Sequence, residues 1–273
     1  MYAFRNLGYT CDIAGPRGDP YTELDIPKIA NTYDLVIVTE NYPELHWTWW
    51  NWDDVKVPKL FWAIDTHCKT YTWLRKFDYV AYNILHHVHG NNGFWLTYGL
   101  STRHQKYETV YPKEYDAIFI GSMDVSPRRR ELCDRFGIQH MTAFGEEYFV
   151  TMKKAKICFN HAISVDINAK NFEIMASGTF MLTNYNQSLV DMFNGSSDLL
   201  ACMYGTDQEI GEKIKYYLEH EDEREAIAKR LYDYVWEHHT WESRCKTILD
   251  NTLSRVNPIS KKWRSVGFAI PIN

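Results

Sequence analysis

Short apolar runs recur along this chain at intervals that fix its structural class. YDLVIVT (33–39), PKLFWAI (58–64), FDYVAY (77–82) and FWLTY (94–98) occupy the first half. YDAIFI (115–120), KICFN (156–160) and TFMLT (179–183) follow in the second. Segments of helix or loop length separate them. Strands that alternate with helical crossovers build parallel sheets, and a strand without polar alternation is one buried on both faces. Ligands of such sheets bind beyond the carboxyl ends of the strands. The pattern predicts an α/β protein whose chemistry lies in the loops that follow its strands.

The first residues depart from that pattern. MYAFRNLGYTCDI reads as a helix end, a stop at Gly8 and a strand at Tyr9 to Ile13. A domain of this kind normally begins one strand earlier, so the N-terminal domain is expected to lack its first strand and to carry a gap in its sheet. Residues 99–114 hold Gly99 and Pro112 and show no hydrophobic period. A domain boundary is placed there. The expected division is 1–112, 113–250 and a tail over 251–273, whose apolar ending WRSVGFAIPIN packs back across the boundary.

Composition narrows the partners. Across 273 residues the formal net charge is −5, so no global basic field draws the protein to nucleic acid. No apolar run approaches the roughly 18 residues that span a bilayer. The N-terminus shows no basic flank ahead of a hydrophobic core, hence no signal peptide is expected. The six cysteines have no paired spacing and several sit inside apolar runs, as reduced buried thiols do. A cytoplasmic location is expected.

Several constellations follow the strands. Asp65-Thr66-His67 comes directly after PKLFWAI. A carboxylate with a histidine two residues on suits a general base or a ligand for an acceptor hydroxyl, and equally a helix cap. HWTWWNW (46–52) offers aromatic platforms for a sugar or a core of packed indoles. His86, His87 and His89 lack a carboxylate or cysteine at ligand spacing, and no metal site is expected. After YDAIFI come Gly121-Ser122, the cap Ser126-Pro127 and Arg128, Arg129 and Arg130, which together read as an anion site or a solvated basic helix face. Phe144-Gly145 opens a helix through Lys153. Asn160-His161 ends the strand KICFN on the ligand side. DINAKNFEIMASGTFMLTN (166–184) then supplies a loop, a helix capped by Asn168 with Lys170 in its first turn, a stop at Gly178 and a strand. A helix N-terminus beside a cation receives phosphate, and Glu173 is a carboxylate on an otherwise apolar helix.

These motifs, in this order, resemble the CgeB-like, group-1 type glycosyltransferases. The resemblance runs over about 115–250. It rests on Phe119 to Ser122, Arg128 to Leu132, Phe136-Gly137, Phe144 to Tyr148, Ala155 to Asn160, Asp166 to Asn168, Phe172 to Gly178, Leu182-Thr183, Phe193 and His239 to Arg244. In the first half it is looser, chiefly Asp65 to His67 and Phe77-Asp78. It implies the GT-B architecture of two Rossmann-like domains facing a cleft, with the acceptor on the N-terminal side and a nucleotide-sugar on the C-terminal side. Glu173 matches the second glutamate of the group's Glu–seven residues–Glu signature, which holds the donor ribose. Val165 stands at the first position, with Asp166 beside it. Lys170 falls at a diphosphate contact, Arg128, Arg129 and Arg130 lie near the other phosphate position, and Phe144 to Tyr148 border the nucleobase. The expected function is transfer of a sugar from a nucleotide-diphosphate-sugar to a glycan, protein or nucleic acid, without a metal or other cofactor. Two other readings stay open: a non-catalytic GT-B module that binds a nucleotide or partner, and a virus-type transferase acting on DNA bases.

Overall fold

Leu35–Thr39 and Lys59–Ala63 are buried at every position, as strands must be when helices cover both faces of a parallel sheet. The computed structural model describes residues 2–13, 30–39, 52–67, 71, 74–90, 92–101, 109–256 and 265–269. Internal contacts divide the chain into two units. The first is Met1–Thr97 with Trp241–Asn273, and the second is Tyr98–Thr240.

The first unit contains helix α1 (Tyr2–Asn6) and strands β1 (Thr10–Ile13), β2 (Leu35–Thr39), β3 (Lys59–Ala63), β4 (Tyr79–Tyr82) and β5 (Gly93–Trp95). Gly8, at φ +87°, turns the chain from α1 into β1 in a conformation that side chains resist. Alternate residues of the strands face opposite ways. Val36, Val38, Phe61, Ala63 and Tyr82 pack with Trp52 and Phe77 on one face. Trp52 is thus a core residue, its ring 5.1 Å from that of Phe77. Residues 46–51 of the tryptophan run lie outside the described residues.

The strand order of this sheet is β1-β11-β2-β3-β4-β5, all parallel, where β11 is Ser265–Ala269. The gap expected in this sheet is not present among the described strands, because β11 stands between β1 and β2. Val266 pairs with Cys11 on one side and Leu35 on the other. The returning segment also brings a helix, Trp241–Asn251, into the same unit. Trp241 meets Trp62 at 5.5 Å, Asn6 donates to Glu242 at 2.8 Å and Arg244 donates to the Thr97 carbonyl at 3.2 Å.

The second unit runs β6 (Tyr115–Ile120), α2 (Pro127–Phe136), β7 (Gln139–Met141), α3 (Gly145–Lys153), β8 (Ala155–Asn160), α4 (Ala169–Ala176), β9 (Phe180–Asn184), α5 (Gln187–Met192), α6 (Ser197–Ala201), β10 (Met203–Tyr204), α7 (Asp207–Glu219) and α8 (Glu221–His238). In the first unit α9 (Trp241–Asn251) and α10 (Leu253–Val256) follow. Pro127 stands at the start of α2 and Gly137, left-handed at φ 64°, ends it. The chain over 207–238 forms two helices, because His220 leaves the helical conformation at φ −111°, ψ 70°. Arg224, buried, stabilises the break by donating to the Tyr217 carbonyl at 2.7 Å and to Glu221 at 3.0 Å. The sheet order is β10-β9-β8-β6-β7, all parallel. Its core is aromatic, with Phe119, Phe159, Phe172 and Phe180 wholly buried.

Candidate functional site

From β6 the chain passes to one side to form β7 and then to the other to form β8. This reversal is the topological switch point of the second sheet, where the two connecting loops diverge and leave a crevice beyond the strand ends. A cavity of about 690 Å³ lies at the carboxyl end of β6, lined by Ile120 to Asp124, by His140 to Gly145 less Met141, and by Arg130, Tyr148 and Lys170.

Lys170 is the cation of this cavity that is most withdrawn from water. Asn168 caps α4 by accepting from the Asn171 amide at 3.3 Å, which sets Lys170 in the first turn. Its ammonium donates to the Ile120 carbonyl and stands 4.5 Å from the centroid of the Phe119 ring. Burial lowers its pKa from 10.5 to about 8, with Arg129 adding to the fall and Glu173 opposing it. Gly121, at φ +149°, makes this approach feasible, since a Cβ there would lie 2.5 Å from Lys170 Nζ. The next two carbonyls are also taken by basic side chains. His140 Nε2 lies 2.8 Å from the Gly121 carbonyl, and Arg129 reaches the Ser122 carbonyl at 3.4 Å. An imidazole nitrogen facing a carbonyl must carry the proton, which fixes the His140 tautomer.

Glu173 lies a turn further along α4. Tyr148, from the second turn of α3, donates its hydroxyl to Glu173 Oε2 at 2.8 Å. Burial raises the Glu173 pKa, while the Tyr148 bond and then Lys170 pull it down. The Tyr148 phenol is raised by burial and by the adjacent carboxylate. The loop before α4 is fastened from below. Asn184 bonds both the amide and the carbonyl of Ala162, and Asn186 donates to the carbonyls of Val165 and Asp166.

The sequence-predicted residues therefore separate. Gly121, Ser122, Phe144, Tyr148 and Lys170 line one cavity, with Phe144 82% exposed. Glu173 stands behind Tyr148 and is not a lining residue. Arg128 pairs with Asp207 and Glu131, and Arg129 donates to the His161 carbonyl at 2.9 Å. Asn160 is wholly buried and donates to Asn171 at 2.6 Å, tying β8 to α4. His161 meets the Tyr204 hydroxyl at 2.7 Å, its pKa lowered by burial and then by Arg129 and Arg128. Asp166 presents its backbone carbonyl, and Asn168 its capping oxygen, to other protein groups. Arg130, the third member of the arginine triplet read as an anion site, lines the cavity, as do His140 and Thr142, which sequence reasoning did not choose. The available signal was placement: Arg130 completes the arginine triplet, and His140 and Thr142 straddle the end of a strand.

In the first unit, Asp65 and His67 occupy the turn after β3. Thr66 Oγ1 lies 2.7 Å from His87 Nδ1, linking this turn to the 3-10 turn Leu85–His87 beyond β4. The His87 pKa is lowered by burial and by the neighbouring His86, His67 and His89. Asn83, at the end of β4, is wholly buried and neither side-chain polar atom has a partner. Among the described residues no cluster of three or more His, Cys, Asp or Glu is placed to hold a metal.

Comparison with known proteins gives these features a context. The family described as glycosyl transferase-like matches residues 86–250, more than half of the chain. The chain belongs to this glycosyl transferase-like family. The family segment contains the whole second unit's cavity. Among solved structures, a sucrose-phosphate synthase from Thermosynechococcus elongatus is similar, with a TM-score of 0.51 and 12% identity over 89% of this chain and 81% of that one. At that identity the likeness is one of fold, and it is the GT-B fold of Rossmann-like units. Comparison with curated proteins gives no match. Within this glycosyl transferase-like protein, no described helix is long and apolar enough to cross a membrane. Five of its six cysteines, Cys11, Cys133, Cys158, Cys202 and Cys245, are buried free thiols.

Proposed function

We propose that this protein is a glycosyltransferase of the CgeB-like type that takes its sugar from a nucleotide-diphosphate-sugar. The observation that carries the reading is the ammonium of Lys170, drawn out of water at the switch point of a parallel sheet and facing a cavity of about 690 Å³. Such a group favours an anion as its partner, because a ligand charge restores the solvation the lysine has lost. The donor diphosphate lies against Lys170 and the Gly121-Ser122 turn, with Arg130 at its outer side and the base toward Phe144. As the bond from the sugar to the diphosphate breaks, negative charge grows on the leaving group, and fixed cations in a site of low water content stabilise it there. Lys170 supplies this stabilisation, with the more exposed Arg130, 3.7 Å from Asp124, adding to it, so transfer proceeds without an added metal. Asp65 and His67, on the first unit, serve the acceptor hydroxyl.

The direct test is titration of the full chain with UDP, GDP and ADP, followed by release of nucleoside diphosphate from the matching nucleotide-sugars. Lys170→Ala is expected to weaken binding at least tenfold, by the worth of a charge-assisted hydrogen bond (about 1.5–3 kcal/mol). Chelator is expected to leave turnover unchanged. Equal binding by wild type and Lys170→Ala would remove the site assignment. One observation favours a second reading, a module that binds nucleotide without catalysis: Val165, 55% exposed, stands where the signature's first glutamate would be. Tight nucleotide binding with no diphosphate release across nucleotide-sugars and acceptors would select it.

A further inference from the structure

We propose that the sugar carried by the donor is a 6-deoxyhexose, selected by an apolar edge that Ile163, Val165 and Tyr185 present beside the nucleotide cavity. This deepens, and rests on, the nucleotide-sugar reading of that cavity.

The order of the strand ends carries the inference. The strands of the second sheet are all parallel, so the loops that follow β7, β6, β8 and β9 stand in a row along one edge, in that order. The base is placed toward Phe144, after β7, and the diphosphate at Gly121-Ser122, after β6. In a nucleotide-sugar the sugar is bonded to the diphosphate on the side away from the nucleoside. Continued along the row, it meets the loop after β8, residues 161–168, and then Tyr185 after β9. From β7 to β9 is three strand intervals of about 4.8 Å, roughly 14 Å in all. The same loop leads directly into α4, whose Lys170 donates to the Ile120 carbonyl at the end of β6. It is thereby continuous with the diphosphate position. Ile163, Val165 and Tyr185 do not line the cavity itself, so they meet only what extends from it.

What this stretch offers a ligand is apolar. Ile163, Val165 and Tyr185 are each more than half exposed. The polar groups around them are engaged within the protein. Asn184 bonds the Ala162 amide and carbonyl, and Asn186 the Val165 and Asp166 carbonyls. The Tyr185 hydroxyl donates to Gln187, which leaves its ring for contact. A hydroxymethyl group laid against these side chains loses water and finds no partner, whereas a methyl group is favoured by leaving water. Ser164 and Asp166, partly exposed in the same loop, remain to meet ring hydroxyls. An acetamido group also carries a methyl, but its N–H and C=O must lose water with it. The sugar that fits is therefore one with a methyl in place of the hydroxymethyl.

The experiment titrates the full chain with matched donors on the nucleoside diphosphate that binds, such as UDP-6-deoxyglucose against UDP-glucose and UDP-N-acetylglucosamine, or GDP-6-deoxymannose against GDP-mannose. Wild type, Val165→Thr and Ile163→Asn are compared, and the bare nucleoside diphosphate is titrated alongside. Thermal melts establish that each variant is folded. Wild type is expected to bind the 6-deoxy form about tenfold more tightly than the hexose, inside the limit of roughly a hundredfold that an apolar surface reaches against an added hydroxyl. Val165→Thr, which keeps the side-chain shape and adds a hydroxyl, and Ile163→Asn are each expected to bring that ratio to about 3 or below. Affinity for the bare nucleoside diphosphate is expected to stay unchanged in both. Equal or tighter binding of the hexose or the acetamidohexose, or a ratio that neither substitution alters, would overturn the proposal and leave the nucleotide reading intact. Absence of any nucleotide binding by wild type would instead remove the reading beneath it.

Discussion

The proposed placement of a nucleotide diphosphate at Lys170 makes its binding a proton-linked event whose size follows from the structure. In the free protein its pKa is about 8, chiefly because it is buried. A diphosphate beside the ammonium favours the charged form and returns the pKa toward its ordinary 10.5. The sign follows directly. Because the bound pKa exceeds the free one, binding takes up a proton, and the favourable linkage is complete below pH 8 and lost as pH rises toward 10.5. At pH 8.5 the free lysine is roughly one-quarter protonated and the bound one almost fully, so uptake is about 0.7 proton per nucleotide, against about 0.1 at pH 7. The whole interval is worth about 3.4 kcal/mol, or roughly 300-fold in affinity between the two limits. Calorimetric titration of UDP and GDP at pH 8.5, in two buffers of different ionisation enthalpy, reads the proton count directly. Lys170→Met is expected to bind weakly with no uptake, and Lys170→Arg, which stays charged, to bind with affinity independent of pH from 7 to 9.5. Tight binding by wild type with no buffer dependence at pH 8.5 would refute the reasoning.

Gly121→Ala places a Cβ 2.5 Å from Lys170 Nζ at a positive φ, and is expected to lower nucleotide affinity by displacing the ammonium. Titration of the folded variant checks it, and undiminished affinity would show that the Gly121 contact does not place Lys170. Arg130→Ala is expected to weaken nucleotide binding while Arg128→Ala leaves it unchanged, since Arg130 lines the cavity and Arg128 is engaged by Asp207 and Glu131; equal losses would contradict that division. Asn83→Val removes two buried polar atoms without partners and is expected to raise the melting temperature by about 2–4 °C per kcal/mol of relieved desolvation; a fall would mean that the amide is satisfied in solution. Removing residues 257–273 deletes β11, and calorimetry is expected to show loss of the first unit's transition with the second unit's retained.

Much of the second unit was legible because each element carries its own local signal. Ser126-Pro127, Gly137, Asn168 and Gly178 mark helix ends through backbone chemistry that needs no distant partner. The central strands were legible for a related reason: burial on both faces leaves no polar interruption. The arginine triplet shows where legibility stops. Successive helical residues point about 100° apart, so Arg128, Arg129 and Arg130 face an ion pair, a set of carbonyls and the cavity respectively. Which of them faces the cavity depends on how α2 is rotated on the sheet, and the triplet itself holds no record of that. The break at His220 was likewise hidden, since both flanks favour helix and the buried Arg224 that stabilises it acts on the Tyr217 carbonyl, seven residues back. The partners of β11 lie more than two hundred residues away, beyond the reach of any local pattern.

That distance has a consequence for how the protein is made. β11, the strand that joins β1 and β2, is synthesised more than two hundred residues after them. At about 5–20 residues per second, roughly 10–45 s pass between the two. Throughout that interval the second unit can form while the edges of β1 and β2 that face β11 wait unpaired, open to association with other nascent chains. A chaperone that shelters apolar strands acts in this window, and synonymous codons that slow translation near residue 240 would lengthen it.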